Sequence, residues 1–426
     1  MEPRVITRRD LLATSAQSVS IAGLAAVLGG EASAATGPLA AKPPHFAPRA
    51  KRIIHLWMNG GPSQVDTFDP KPALEKFAGQ RPDSTAKLST ERKTGGLMPS
   101  PFRFQRHGQS GIEISEIFPH LARHADDLCV IRSMHTNTPV HEASNWLMFT
   151  GYPQPIRPSY GSWLLYGLGS PNENLPGFVV LGEGQPVNGP SNWSSRFLPG
   201  IYQGCQVAPG KFFDLKKVID NLADPYAAAD AQRQRLDFAQ HLNSIHLRQR
   251  GEDNAFTARI ASLELAYRMQ TAASEAFDIS QETAATHDAY GMTRPAAEYK
   301  GHSHVNGHTF GRNCLLARRL LERGVRVVQI YTGEQQPWDT HADDAKGQKS
   351  LATAVDQPIA ALLQDLKQRG MLEDTLVIWG GEFGRTPVSE GQNGRDHNHY
   401  GFTMWLAGGG VRGGMVFGAT DDFGFK

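Results

Sequence analysis

The alternation of helical and strand patterns between residues 309 and 380 constrains the fold more than any other feature of this chain. Apolar residues recur at helical spacing over residues 309–323 and 354–369, and a glycine that can end a helix follows each segment. Short runs rich in β-branched residues occupy residues 325–331 and 375–379. Because parallel strands are joined by crossover helices, this order predicts an α/β fold with a mostly parallel central sheet flanked by helices.

Other segments extend this prediction along the chain. Further strands are predicted at residues 53–58, 128–132, 178–181 and 403–407. Residues 224–290 differ, because long polar and Ala-rich helical patterns at 224–250 and 254–277 follow one another with no strand between them. We interpret this part as a helical insertion on the sheet.

The N-terminus carries the pattern of an export signal. Arg8 and Arg9 precede a short apolar run and a small-residue cleavage site at 32–34, which resembles a twin-arginine signal and predicts cleavage near Ala34. The expected location is the periplasm or the extracellular space, with an N-terminal anchor or a disordered tail as the alternative. The run is short for a span of roughly 20 residues, so no permanent membrane span is expected.

Composition argues against several functions. The chain has 43 Lys and Arg against 42 Asp and Glu, and a net charge of +1 gives no field that would attract nucleic acid. Its three cysteines lie far apart, which indicates neither a disulfide scaffold nor a thiolate zinc site. Residues 35–50 are rich in Ala, Pro and Gly and are predicted to be a linker, so residues 51–426 form the main domain.

Metal-binding residue types cluster beside the predicted strand ends, where open α/β sheets bind ligands. Four segments contain them: the loop that follows the first strand, the segment 338–344, the segment 380–386, and the loop at 395–399. The candidate ligands are Asn59, Asp66, Asp339, His341, Glu382, His397 and His399. Carboxylates with imidazoles suit zinc, manganese or iron, whereas carboxylate and amide oxygens alone suit calcium or magnesium. A divalent metal site is therefore predicted, with zinc, manganese and calcium left open.

The C-terminal motifs resemble those of the alkaline phosphatase superfamily, which includes the sulfatases. The similar segments are residues 375–384, residues 395–397 and the glycines at 408–410. In that superfamily a strand runs into an Asp-His-Gly metal motif, and a later His completes a second metal site. The resemblance implies that Glu382 replaces the metal-binding Asp, that Asp339 and His341 form the preceding pair, and that His397 is the later His. Phe383 replaces the motif His and cannot bind a metal, so one ligand is missing or comes from another residue such as His399.

Residues 141–151 resemble the sulfatase signature, in which a Cys becomes the formylglycine nucleophile. Ser144 and Gly151 match the signature, but His141 stands at the Cys position, so formylglycine cannot form. Two catalytic alternatives follow: His141 acts as nucleophile or general base, or a metal activates water directly. In a degenerate site, His141 would be a ligand or a buried polar group.

The whole mature chain is identified as a member of the exported, sulfatase-like family called domain of unknown function 1501. The similar motifs are the signal and residues 60–72, 338–341, 381–387 and 396–398. The resemblance implies a fold more firmly than an activity. Members of this family continue into a His-containing helical segment, so truncation after Lys426 is expected.

These observations predict a metal-dependent hydrolase of sulfate or phosphate esters, acting on an anionic ester or a sulfated polysaccharide. Ser63 would reach the substrate, and Arg385 would pair with its anionic group or else form a structural ion pair with a loop carboxylate. The alternative is a non-catalytic protein that binds a polysaccharide or an exported partner. Phe383 and His141, which depart from the motifs at chemically decisive positions, support that alternative.

Overall fold

The computed structural model describes residues 37–83, 90–207, 229–250, 254–295 and 305–426. The predicted signal at 1–34 lies outside these residues, as do the start of the linker and parts of the predicted helical insertion. Within the described ranges, no helix combines the length and the apolar character needed to cross a membrane.

The strands form one large sheet and two small ones. They are β1 (Arg52–Trp57), β2 (Thr94–Leu97), β3 (Phe104–His107), β4 (Ile112–Ser115), β5 (Leu128–Met134), β6 (Phe178–Leu181), β7 (Cys205–Val207), β8 (Val327–Tyr331), β9 (Thr375–Gly380), β10 (Gly384–Glu390), β11 (Gly394–Asn398), β12 (Phe402–Ala407) and β13 (Met415–Phe417). The eight-stranded sheet has the order β13-β5-β12-β9-β1-β8-β6-β7. Only β12 pairs antiparallel with its neighbours β5 and β9 in this sheet, so the sheet is mostly parallel.

Helices cover both faces of this sheet. They are α1 (Gln64–Thr67), α2 (Pro72–Lys76), α3 (His141–Thr150), α4 (Tyr160–Leu168), α5 (Ala229–Arg250), α6 (Asn254–Phe277), α7 (Ala284–Ala289), α8 (Gly307–Glu322) and α9 (Asp344–Gln368). Short 3-10 helices lie at Leu121–Asp127, Gly189–Trp193, Gly200–Tyr202, Ile279–Gln281 and Leu372–Asp374.

The central strands are apolar on both faces because both faces are buried. Ile54 and Leu56 of β1 pack in one core with leucines of α8 and α9. Trp57, at the end of the same strand, packs in a second core with Phe149 of α3 and Leu165 of α4. Parallel pairing of β1 with β8 and β9 brings the carboxyl ends of three buried strands to one edge.

The predicted α/β class is confirmed, and each predicted strand agrees with an observed one to within two residues at either end. The helix predicted at 354–369 begins earlier, at Asp344. The prediction missed its first turns because they are polar and lack an apolar stripe. Helices are present at Ala229–Arg250 and Asn254–Phe277, the described part of the predicted insertion.

One prediction about local structure was wrong. Residues 395–398, expected in a loop, lie in β11, and residues 384–386, for which no strand was predicted, lie in β10. The two strands form an antiparallel pair that β2 extends into a three-stranded sheet. These strands escaped prediction because they bury Arg385, Arg395 and Asp396 in place of alternating apolar side chains. The pairing places Arg385 directly opposite His397.

Candidate metal centre

The candidate site lies where the central sheet meets this smaller sheet. The turn at 58–63 follows β1, the loop at 332–343 follows β8, and Glu382 lies between β9 and β10. His141 is the first residue of α3, and His397 belongs to β11. Four separate parts of the chain therefore supply the side chains of one site, and the turn after β1 contributes backbone groups of Gly60 and Gly61.

Asp339 is the centre of the cluster. Its Oδ1 lies 2.9 Å from Nε2 of His341 and 2.9 Å from Nε2 of His397. Its Oδ2 lies 3.4 Å from Nε2 of His141. The two nitrogens of His341 and His397 are 3.0 Å apart. The side chain of Asp339 is 15% exposed, so the cluster is mostly buried.

The other ring nitrogen of each histidine meets an acceptor outside the cluster. Nδ1 of His141 lies 2.6 Å from Glu382, and Nδ1 of His341 contacts Glu390. Nδ1 of His397 lies 2.8 Å from the carbonyl oxygen of Pro139 and 2.6 Å from the carboxylate of Glu91. These contacts place the Nδ1 protons outward and leave each Nε2 facing Asp339.

The donor set fits a divalent metal. Ligand atoms of His141, Asp339 and His397 lie within 4.8 Å of one another, and those of His341, Asp396 and His397 form a second such group. Within the described part of the chain, the buried Nε2 of His141 makes no hydrogen bond and has only the 3.4 Å contact with the Asp339 carboxylate. Zinc bonds of about 2.0–2.1 Å place neighbouring tetrahedral ligands about 3.3 Å apart, close to the observed spacings.

The electrostatics keep Asp339 ionised. Burial opposes its ionisation, but the Arg385 guanidinium and the three histidines hold the pKa of Asp339 well below its usual range. Burial also opposes protonation of His141, yet its contacts with Asp339 and Glu382 outweigh this and raise the pKa of that imidazole to about 9. Burial, with the nearby Arg385 charge, lowers the pKa of His397 to about 3.

Arg385 is committed to structural contacts. Its Nη2 lies 2.7 Å from Asp339, its Nε donates to the carbonyl of Gly61 at 3.0 Å, and it also donates to the carbonyl of Gly60. The side chain has no exposed surface. The arrangement corresponds to the ion pair with a loop carboxylate, and leaves no donor directed at solvent.

Ser63 and Asp66 belong to a separate buried cluster. The Ser63 hydroxyl donates to Asp66, whose carboxylate also accepts from Nε and Nη2 of Arg395 at 2.7 and 3.2 Å. Asp344 lies 3.3 Å from the same guanidinium. Burial, together with the charge of Asp66, raises the pKa of Asp344 to about 7. The structure thus uses these groups to join α1 and α9 to β11.

Asn59 and His399 also lie outside the metal cluster. The Asn59 amide donates to the carbonyls of Gly333 and Gln335, and its oxygen accepts from the backbone and hydroxyl of Thr332. These bonds tie the turn after β1 to the loop after β8. The ring of His399 packs against Tyr400, with centroids 3.9 Å apart. Of the seven predicted ligands, the structure brings Asp339, His341 and His397 together, with Glu382 behind His141.

Three carboxylates around the site were not predicted as site residues. Asp396 accepts from the backbone N–H groups of His397 and Arg92, and its place in the 396–398 motif was a usable signal. Glu91 and Glu390 contact histidines from strands or turns far away in sequence, and no local pattern marks them.

The mostly parallel sheet and the His/Asp cluster at its strand ends make this an α/β protein with a candidate metal site. The chain belongs to the family described as "Protein of unknown function (DUF1501)", which matches residues 50–426. No curated protein matches the sequence significantly.

Several solved structures are similar to this chain at low identity. The lipoteichoic acid synthase LtaP from Listeria monocytogenes is 10% identical, with a TM-score of 0.36 over 89% of this chain and 71% of that one. The PsFucS1 sulfatase from Pseudoalteromonas sp. is 13% identical, with a TM-score of 0.36 over 88% and 66%. The alkaline phosphatase from the Antarctic bacterium TAB5 is 12% identical, with a TM-score of 0.32 over 89% and 97%.

Proposed function

We propose that this protein is a metal-dependent hydrolase of sulfate or phosphate esters. The observation that carries the proposal is the convergence of His141, His341 and His397 on the ionised Asp339, with Nε2 of His141 lacking a hydrogen-bond partner among the described residues. Imidazole and carboxylate donors favour zinc or manganese over calcium.

In the proposed site, each residue has a separate role. Asp339, His141, His341 and His397 would hold the ion, and Arg385 would keep Asp339 ionised and in place. A divalent metal there would supply Lewis-acid polarisation of the ester and activation of water. Arg92 contacts Glu390 at 3.1 Å and its side chain is 54% exposed, so we assign the first contact with an anionic ester to its guanidinium.

The test is an assay of the purified protein for bound metal and for turnover of aryl sulfates, phosphomonoesters and phosphodiesters. Asp339→Asn and His397→Ala should each lose metal and turnover. His399→Ala is the matched control, because His399 is close in sequence but outside the cluster, and it should retain both. Metal-free wild-type protein without turnover on the whole panel would refute the proposal.

A second candidate function is non-catalytic binding of a polysaccharide or an exported partner. It is favoured by the burial of two predicted catalytic groups. Ser63 is hydrogen-bonded to Asp66, and Arg385 forms an ion pair with Asp339. The same variants separate the two functions. If Asp339→Asn and His397→Ala lower only the melting temperature of a protein that binds metal but turns over no ester, the second function is supported.

We also propose export by the twin-arginine pathway, which the Arg8-Arg9 pair and the small-residue site before Ala35 support. Replacing both arginines by lysine keeps the charge and should leave uncleaved protein in the cytoplasm. Fractionation of cells followed by N-terminal sequencing measures this. Unchanged export of the double variant would contradict the pathway.

A further inference from the structure

The three histidines of the site share one orientation. Each directs Nε2 toward Asp339, at 2.9 to 3.4 Å, and Nδ1 toward an acceptor outside the cluster. A neutral imidazole has one N–H and one lone pair, so a fixed acceptor at Nδ1 determines which nitrogen can bind a metal.

Glu382 fixes His141. Its Oε1 lies 2.6 Å from Nδ1 of His141 and accepts the backbone N–H of Gly60 at 2.9 Å. The side chain is fully buried, and its other oxygen has no hydrogen-bond partner among the described residues. Glu382 thus lies behind His141, held by the turn after β1.

Glu390 fixes His341 in the same way. Its Oε2 contacts Nδ1 of His341, while its Oε1 contacts Arg92 at 3.1 Å. Glu390 belongs to β10, one strand away from His397 in β11. The two glutamates therefore contact different histidines of the cluster from the two ends of β10, and each has a second contact of its own.

We propose that Glu382 and Glu390 are positioning residues, which act on the metal through His141 and His341 and are not themselves ligands. This inference rests on the proposed metal site. A carboxylate at Nδ1 fixes the tautomer and the ring orientation and increases the basicity of Nε2. Loss of such a partner weakens metal affinity by about 10–100-fold, whereas loss of a ligand removes the site.

The experiment is a titration of the metal-free full chain with Co²⁺, followed by visible absorption and calorimetry. Glu382→Ala and Glu390→Ala should each bind Co²⁺ about 10–100-fold more weakly than wild type, with the same absorption spectrum. Glu382→Gln and Glu390→Gln keep an acceptor oxygen and should recover most of the lost affinity. Nitrogen-15 NMR of histidine in the Zn²⁺-loaded protein should show Nδ1 protonated in His141 and His341.

Two controls separate positioning from general destabilisation. Glu282→Gln alters a carboxylate paired with Arg318 and Arg319, and it should leave Co²⁺ affinity unchanged. His397→Ala removes a ligand and should abolish binding. Circular dichroism confirms that each variant is folded. Glu382→Leu or Glu390→Leu, which fills similar space without an acceptor, replaces an alanine variant that is not, with the same expected loss of affinity.

Three results would overturn the inference. Loss of binding and a changed spectrum in Glu382→Gln would make Glu382 a ligand. Unchanged Co²⁺ affinity in both alanine variants would make the contacts merely structural, as would wild-type protein that binds no Co²⁺. The first two outcomes concern the glutamates alone, whereas wild-type protein that binds no Co²⁺ would also remove the metal site on which the proposed hydrolase depends. Co²⁺ binding that responds as expected without turnover of any ester would refute only the hydrolase.

Discussion

Gly60 shows how closely the site depends on single residues. It adopts a φ of +111°, and a Cβ there would lie 2.6 Å from the backbone nitrogen of Asp339 and 2.8 Å from the carbonyl oxygen of Gln336. Its own N–H donates to Glu382. The turn after β1 can therefore touch both the Asp339 loop and the carboxylate behind His141 only if residue 60 has no side chain.

Gly60→Ala should lower the free energy of unfolding by about 2–4 kcal/mol, because strain at positive φ adds to a clash with backbone. Urea denaturation measures the loss. Gly111→Ala is the matched control: Gly111 also has a positive φ of +68°, but its Cβ would meet open space, so about 1 kcal/mol is expected. Equal losses in both variants would show that close packing at Gly60 is unimportant.

The buried imidazole of His55 should make the free energy of unfolding depend on pH. It lies buried in β1, where burial lowers the pKa of the imidazole from 6.5 to about 3, and its Nδ1 contacts the Tyr160 hydroxyl at 2.9 Å. Below pH 6.5 the unfolded chain binds a proton that the folded chain refuses. The stability present above pH 6.5 is therefore lost as the pH falls toward 3, by up to about 1.4 kcal/mol per pH unit.

His55→Gln removes the titrating ring and should make the fall in unfolding free energy between pH 6.5 and 3 shallower. Chemical denaturation at several pH values measures the slope. Tyr160→Phe removes the same hydrogen bond but keeps the imidazole, so it should lower stability and retain the steep slope. An unchanged slope in His55→Gln would place the acid sensitivity elsewhere.

At the scale of elements, the β10–β11 hairpin joins the site to the rest of the molecule. β11 carries His397 on the cluster and Arg395 on the buried carboxylates of Asp66 and Asp344. At Gly394, where β11 begins, any Cβ would overlap the carbonyl group of His341. The hairpin and the loop after β8 therefore contact each other through backbone, which holds His341 and His397 in register.

Gly394→Ala should cost about 3 kcal/mol of stability and weaken metal binding, because the hairpin must move away from His341. Gly391→Ala, in the turn of the same hairpin, is the control. Its Cβ meets open space, so only the cost of a positive φ of +58° is expected, about 1 kcal/mol. Thermal unfolding and calorimetric metal titration test both variants; a Gly394→Ala protein with wild-type metal affinity would contradict this role.

For the whole molecule, the sequence was informative where burial is apolar and uninformative where it is polar. The parallel sheet could be predicted because β1, β8 and β9 are apolar runs between recognisable helices. The β10–β11 pair could not, since Arg385 and Arg395 look solvent-exposed until their partners are known. In the site, motifs indicated Asp339 and His397, but partners such as Glu390 depend on contacts between distant segments.

The proposed metal should make the stability of the whole fold depend on metal binding. His141, Asp339, His341 and His397 come from three distant segments, so the unfolded chain has no preformed site. A metal that binds only the folded state stabilises it by about 2.7 kcal/mol at a free concentration of 100 Kd.

We therefore expect the melting temperature to rise with Zn²⁺ concentration and to fall after chelation. Asp339→Asn should show neither change, whereas His399→Ala should behave as wild type. A wild-type melting temperature independent of metal, or the same Zn²⁺ response in Asp339→Asn, would exclude this cluster as the stabilising site.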